Sequence, residues 1–290
     1  MKRAAALLAL SLLLAPMLRA GLPFSTVFRG DAKFQALVAQ ADAWKDLPIG
    51  ERTAAVGKAM TGTPYKNYTL EIDDRTEAPS ANLTAMDCWT FFEQALAFAR
   101  MLGEPRDQWT PQTMLKYIEV DRYRGGSCDG SYLSRLHYLE EWLSDNSRRG
   151  LVQDLTRTLG GVRVNNVASE MTINWRSYRY MRLNPDLRAG IRAMEARVDA
   201  ANMAHIPKSK VAGIESKLRS GDIIGITTKD PGGYGTSHVG LAYRTPDGVL
   251  HFMHASHPRN YGKTVVDSRL SEYLARFRTT AGILVGRPLK

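Results

Sequence analysis

The sequence predicts an α+β fold on three observations. The first half of the chain carries apolar residues at helical spacing. The last hundred residues break into short runs rich in Val and Ile, divided by turn residues. One of those divisions, "TPDG" at 245–248, places Pro and Asp-Gly between two runs, the chemistry of a hairpin turn. Helical periodicity followed by hairpin-joined strands describes helices packed on an antiparallel sheet.

The elements follow in chain order. The opening "MKRAAALLALSLLLAPMLRA" has a basic start at Lys2 and Arg3, an Ala/Leu run and a small residue, Ala20, before Gly21. That is the pattern of a secretory signal peptide over 1–20; the apolar run is about a dozen residues, short of the ~20 that span a bilayer. Residues 21–290 then read as one domain with helical insertions, exported to the periplasm or secreted, with no stable membrane insertion once the leader is cut. Phe34, Leu37, Val38, Ala41 and Trp44 mark one face of a helix. Leu136, Leu139 and Leu143 mark a second, and Ile191, Met194 and Val198 a third. "GDIIGITT" (221–228), "HVGLAY" (238–243), "GVLHFMHA" (248–255), "KTVVD" (263–267) and "AGILVG" (281–286) read as strands, with a short helix at Leu270, Tyr273, Leu274 and Phe277 before the last.

Formal net charge is +10, or +7 without Lys2, Arg3 and Arg19 of the leader. The basic residues are spread along the chain, with no Lys/Arg block of the kind that binds nucleic acid. An exported basic protein of this pattern suits the carboxylate-rich cell wall. The oligomeric state is left open.

There are two cysteines. In an oxidising compartment a Cys88–Cys128 disulfide is one reading. The surroundings of Cys88 favour another. It follows Asp87, a good N-cap, and begins "CWTFFEQALAFARMLG", which has few helix breakers before Gly103. In the first turn of a helix the unpaired N–H groups favour a thiolate and can donate to a developing oxyanion. Phe92, Ala95 and Ala99 would also suit a merely structural cysteine on a core face. Cys128, in "GGSCDGS", reads as a loop thiol.

A cysteine nucleophile needs a base and a group to orient that base. His238 begins a strand after the mobile-looking "DPGGYGTS", and His254 ends the next strand. Joined by the "TPDG" hairpin, both are expected on the face turned toward the cysteine helix, with His254 fixing the tautomer of His238. His251, an odd number of positions away, belongs to the other face. A zinc site from His251, His254 and His257 would need an even spacing on a strand or a helix here, and the sequence offers neither. No metal and no organic cofactor is expected.

Taken in order, "GTPYKNYTLE" (62–71), "DCWTFFE" (87–93), "SHVGLAY" (237–243) and "HAS" (254–256) resemble the NlpC-type papain-like cysteine hydrolases of bacterial cell walls. "DCWTFFE", "YLSRLHYLEEW" (132–142) and "MTINWRSYRYMRL" (171–183) are similar to the N-acetylmuramoyl-L-alanine amidase-like branch. The resemblance runs from about Thr61 to Pro288. It implies a papain-like fold and catalytic Cys88, His238 and His254 on a peptidoglycan or muropeptide substrate. It places Tyr65 beside the cysteine, where the hydroxyl could support the oxyanion or the substrate, as could Asp87. Arg135 and His137 lie beside the leucine stripe, so Arg135 is expected exposed and available to a substrate carboxylate.

The favoured reaction is amidase cleavage between N-acetylmuramic acid and L-alanine. Cleavage after γ-D-glutamate, as by a γ-D-glutamyl-diamino acid endopeptidase, is the alternative within the class. A non-catalytic wall-binding module and a lipid acyltransferase are the alternatives outside it.

Overall fold

The computed structural model describes residues 21–290, so the leader expected at 1–20 lies outside the described residues. The longer helices are α1 (Asp31–Val38), α2 (Ile49–Ala59), α3 (Cys88–Met101), α4 (Pro111–Arg122), α5 (Leu139–Arg148), α6 (Leu187–Ala200) and α7 (Leu270–Arg276). The main sheet contains β1 (Val152–Asp154), β2 (Val162–Arg163), β3 (Ala204–Pro207), β4 (Ile223–Asp230), β5 (Gly233–Arg244), β6 (Leu250–Ala255), β7 (Thr264–Arg269) and β8 (Thr280–Pro288). Its order is β2-β3-β8-β4-β5-β6-β7, with β1 also on β8, and each of these pairings is antiparallel. The architecture is α+β. No helix among the described residues is long and apolar enough to cross a membrane.

The sheet is buried on both faces because its strands alternate two apolar sets. Val239, Leu241, Met253 and Ala255 pack with Phe91, Phe92, Ala95 and Leu96 of α3. Ile224, Ile226, Ala242 and Phe252 point the other way and pack with Leu270, Tyr273 and Leu274 of α7. A third cluster, with Tyr132, Met171, Tyr180, Ile191 and Met194, holds the segments between α5 and α6.

Three expectations change. The helix read over 34–44 stops at Val38 and resumes as a 3₁₀ turn at Ala41–Ala43; Phe34, Leu37 and Ala41 are nevertheless all buried, so the pattern found the buried face and missed the break. Leu136 precedes its helix, which starts at Leu139 after an extended Tyr138. "DPGGYGTS" is the paired end of a hairpin, with Asp230 opposite Gly233 and the two-residue turn at Pro231 and Gly232 (φ 97°). Tyr234 is pinned on its outer side by backbone bonds with Asn165 and Val167 at 2.8 Å. The short strands β1–β3 have no alternation long enough to read and are supported by pairing with β8 and with each other. The "TPDG" hairpin forms as expected, with Gly248 at φ 86° and Thr245 N–H donating to Val249 O at 3.0 Å.

Candidate active site

Asp87 caps α3 by a capping box. Its carboxylate accepts from Thr90 N–H at 2.8 Å, and the Thr90 hydroxyl accepts from Asp87 N–H at 3.0 Å. The second carboxylate oxygen accepts from the Thr69 hydroxyl at 3.0 Å, tying the loop after Tyr65 to the helix start. Cys88 is thereby fixed as the first helical residue, at the floor of a cavity of about 470 Å³. Tyr65, Asp87, Trp89, Arg135, His137 and His238 share its walls. Both cysteines are unpaired thiols, so the disulfide reading is not what the structure shows.

His238 enters through an irregularity in β5. Ile226 of β4 faces His238 and Thr227 faces Thr236, leaving Ser237 as an extra residue, a bulge of the kind that re-aims a side chain. His238 Nε2 lies 2.7 Å from His254 Nδ1. His254 Nε2 lies 3.3 Å from a carboxylate oxygen of Asp267, which also accepts from Arg276 at 2.7 Å. The two histidines share a face, but not the one expected. They gather round Phe252 and Tyr273 under α7, while Val239 and Leu241 face α3. The bulge at Ser237 lies directly before His238, in the stretch of β5 from Thr236 to Val239 that lines the cavity.

The electrostatics also differ from the sequence reading. Burial pushes the Cys88 thiol up to about 12, with Asp87 adding to the effect, while the backbone N–H groups of Val239, Trp89 and Cys88 itself work the other way. Burial drives His238 well below its ordinary range, and His254, also buried, lies below it too. Tyr65 is held protonated by burial and then by nearby Cys88 and Asp87; its hydroxyl donates to Asn67 at 2.9 Å.

A family profile described as AmiA-like, N-acetylmuramoyl-L-alanine amidase-like, matches residues 55–283. The chain belongs to this AmiA-like family. Among solved structures, an N-acetylmuramoyl-L-alanine amidase from Bacteroides uniformis superposes with a TM-score of 0.72 at 29% identity, covering 83% of this chain and 99% of that one. A candidate xylanase from Bacteroides fragilis gives 0.71 at 33% identity, covering 80% and 99%. A Legionella pneumophila protein at 20% identity shares the fold, with a TM-score of 0.67 over 90% and 95% of the two chains. No curated protein matches by sequence.

The AmiA-like cavity treats its remaining residues differently from the sequence reading. Arg135 is buried at 2% exposure, not solvated. It donates to Glu77 at 3.1 Å and to Leu70 O at 3.1 Å, and lies 3.6 Å from Glu71, so its charge is spent inside the protein. His137 lines the cavity, its Nε2 2.8 Å from Tyr132 O, and burial followed by the Arg135 charge pushes it down to about 3. The acidic residue of the "DCWTFFE" stretch, Glu93, accepts from the Trp89 indole at 3.0 Å and pairs with buried Arg122 at 2.8 Å, which fixes Trp89 in the cavity wall. His254 has both ring nitrogens engaged, and His251 is bound to Asp267 O at 2.7 Å, so these two do not converge with His257 as a ligand set. Asp267 is the residue the AmiA-like sequence did not announce. It lies at the end of the stretch read as the strand "KTVVD", and only the pairing of Val265 with His254 brings its carboxylate to that ring.

Proposed function

We propose that this AmiA-like protein is a cysteine amidase with an NlpC-type papain-like site, acting outside the cytoplasm on peptidoglycan fragments at the N-acetylmuramoyl–L-alanine bond. The observation that carries the reading is the joint placement of Cys88 at the start of α3 and of His238, braced by His254, on one cavity. His238 Nε2 is committed to His254, which leaves Nδ1 to take the thiol proton. Sulfur then attacks the amide carbonyl, and the oxyanion meets the N–H groups at the helix start, with the Tyr65 hydroxyl as a further donor. The C–N bond breaks as His238 returns the proton to the departing amine. Water, deprotonated by the same nitrogen, releases the acyl group and restores the thiol.

The geometry does not choose the bond. The amidase reading rests on family membership and on the Bacteroides uniformis amidase as a neighbour. Digestion of purified muropeptides with mass spectrometry of the products tests it. The expected products are a sugar bearing a lactyl carboxylate and an intact stem peptide with a new amine. Release of a fragment ending in D-glutamate would assign the γ-glutamyl bond instead, and intact substrate would refute both.

A further inference from the structure

We infer that Asp267, held by Arg276, is the positioning residue that sets the tautomers of both histidines and so decides which nitrogen of His238 receives the cysteine proton. The inference rests on the proposed roles of Cys88 and His238. Asp267 is nearly enclosed, with 2% of its side chain exposed. Its neighbours are donors. Arg276 donates at 2.7 Å to the oxygen that faces His254 Nε2 at 3.3 Å; the other oxygen accepts from Ser268 N–H at 2.6 Å and from the Tyr261 hydroxyl at 3.4 Å. Burial opposes ionisation, but the bonds from His254, Arg276 and Ser268 outweigh it, and the carboxyl stays below its ordinary range.

An ionised carboxylate only accepts, so His254 must carry its proton on Nε2. A neutral imidazole has one proton, so His254 Nδ1 is an acceptor. The 2.7 Å bond to His238 then requires the proton of His238 on Nε2, and the lone pair of His238 is left on Nδ1. One carboxylate thus orders two rings in series. When His238 takes the thiol proton, its positive charge is offset through neutral His254 by Asp267, and no further proton leaves the row. The other titratable groups that face it are Tyr273 on α7, Tyr261 before β7, and His251, which binds the Asp267 carbonyl oxygen; Cys88 lies across the cavity.

The test has a substrate-free arm. ¹⁵N NMR of histidine-labelled wild-type protein near pH 7 should show His238 and His254 both protonated at Nε2; a proton on Nδ1 of either ring overturns the proposal. In the second arm, Cys88 alkylation by iodoacetamide is followed against pH. Asp267→Asn should slow labelling at pH 7 by about tenfold and move the profile to higher pH, the effect of weakening a favourable opposite charge by about one pKa unit. Asp267→Glu should recover much of the loss. A folded Asp267→Asn with a lowered Tm and the wild-type profile would make Asp267 merely structural. If wild type cleaves no muropeptide while both arms give the expected results, the substrate reading fails and the relay stands.

Discussion

Glu140 and Thr236 are joined twice. One carboxylate oxygen of Glu140, on α5, accepts from the backbone N–H of Thr236 at 3.1 Å and from its hydroxyl at 2.7 Å. Thr236 directly precedes the bulged Ser237, so this clamp holds β5 at the point where His238 is aimed. Burial pushes the Glu140 carboxyl up, and its other oxygen has no partner among the described residues.

Removing the clamp should separate folding from aim. Glu140→Ala leaves the Thr236 N–H and hydroxyl unpaired, a loss of about 1–3 kcal/mol in urea unfolding. Turnover should fall further than this stability loss accounts for, with KM little changed, because His238 loses its fixed position. Wild-type kcat in the folded variant would show that the bulge holds its own shape.

The two histidines should respond unequally. His238→Ala removes the proton carrier and should cost on the order of 10²–10⁴ in kcat/KM. His254→Asn retains one polar contact and should keep measurable activity. His251→Ala should resemble wild type, since its ring nitrogen serves only a strand carbonyl. A damaging His251→Ala beside a harmless His254→Ala would require a different third residue.

The chemistry should depend on one thiol. Iodoacetamide should abolish activity by labelling Cys88, and Cys128→Ser should retain it, since Cys128 does not line the cavity that holds Cys88 and His238. A chelator should leave the rate unchanged. Loss of activity on chelation, restored by zinc, would overturn the thiol mechanism.

Arg135 should matter for stability before substrate. Arg135→Met strands the buried Glu77 carboxylate, and breaking such a pair costs about 3–5 kcal/mol. Urea unfolding measures it. A raised KM with wild-type stability would return Arg135 to the substrate-binding role expected from the sequence.

Acid should destabilise the fold through its buried imidazoles. His137, His205, His238 and His254 are all shifted down, chiefly by burial. Each binds fewer protons folded than unfolded, so its contribution is complete above the unfolded value of about 6.5 and is lost as pH falls through that value toward the folded one. For His137 the window closes near 3. The urea midpoint should therefore fall steadily below pH 6.5, and His137→Gln should flatten that fall. An unchanged slope in the variant would remove His137 from the account.

The parts of this protein that were readable in the sequence are those set by local rules. Asp87 before an apolar helical run announces a cap, and Thr90 completes it three residues later. The β5–β6 hairpin was carried by its turn residues, and the 238–254 pair followed from it. What alternation alone did not say was which sheet face α3 covers: Val239 and Leu241 pack on that helix, and the histidines share the other face with Ala242 and Phe252. Arg135 was misplaced for a related reason: its exposure depends on Glu71 and Glu77, more than fifty residues away, which no periodicity near Arg135 reveals.

The position of β8 has a consequence for biogenesis. It is the last of the eight strands along the chain, yet it lies inside the sheet, paired with β1, β3 and β4. A ribosome therefore delivers seven strands before the one that joins the two ends of the sheet. Until it emerges, β1 lacks its partner and β3 is paired only with β2. Its arrival joins β1 and β3 to the β4–β7 meander and closes the sheet.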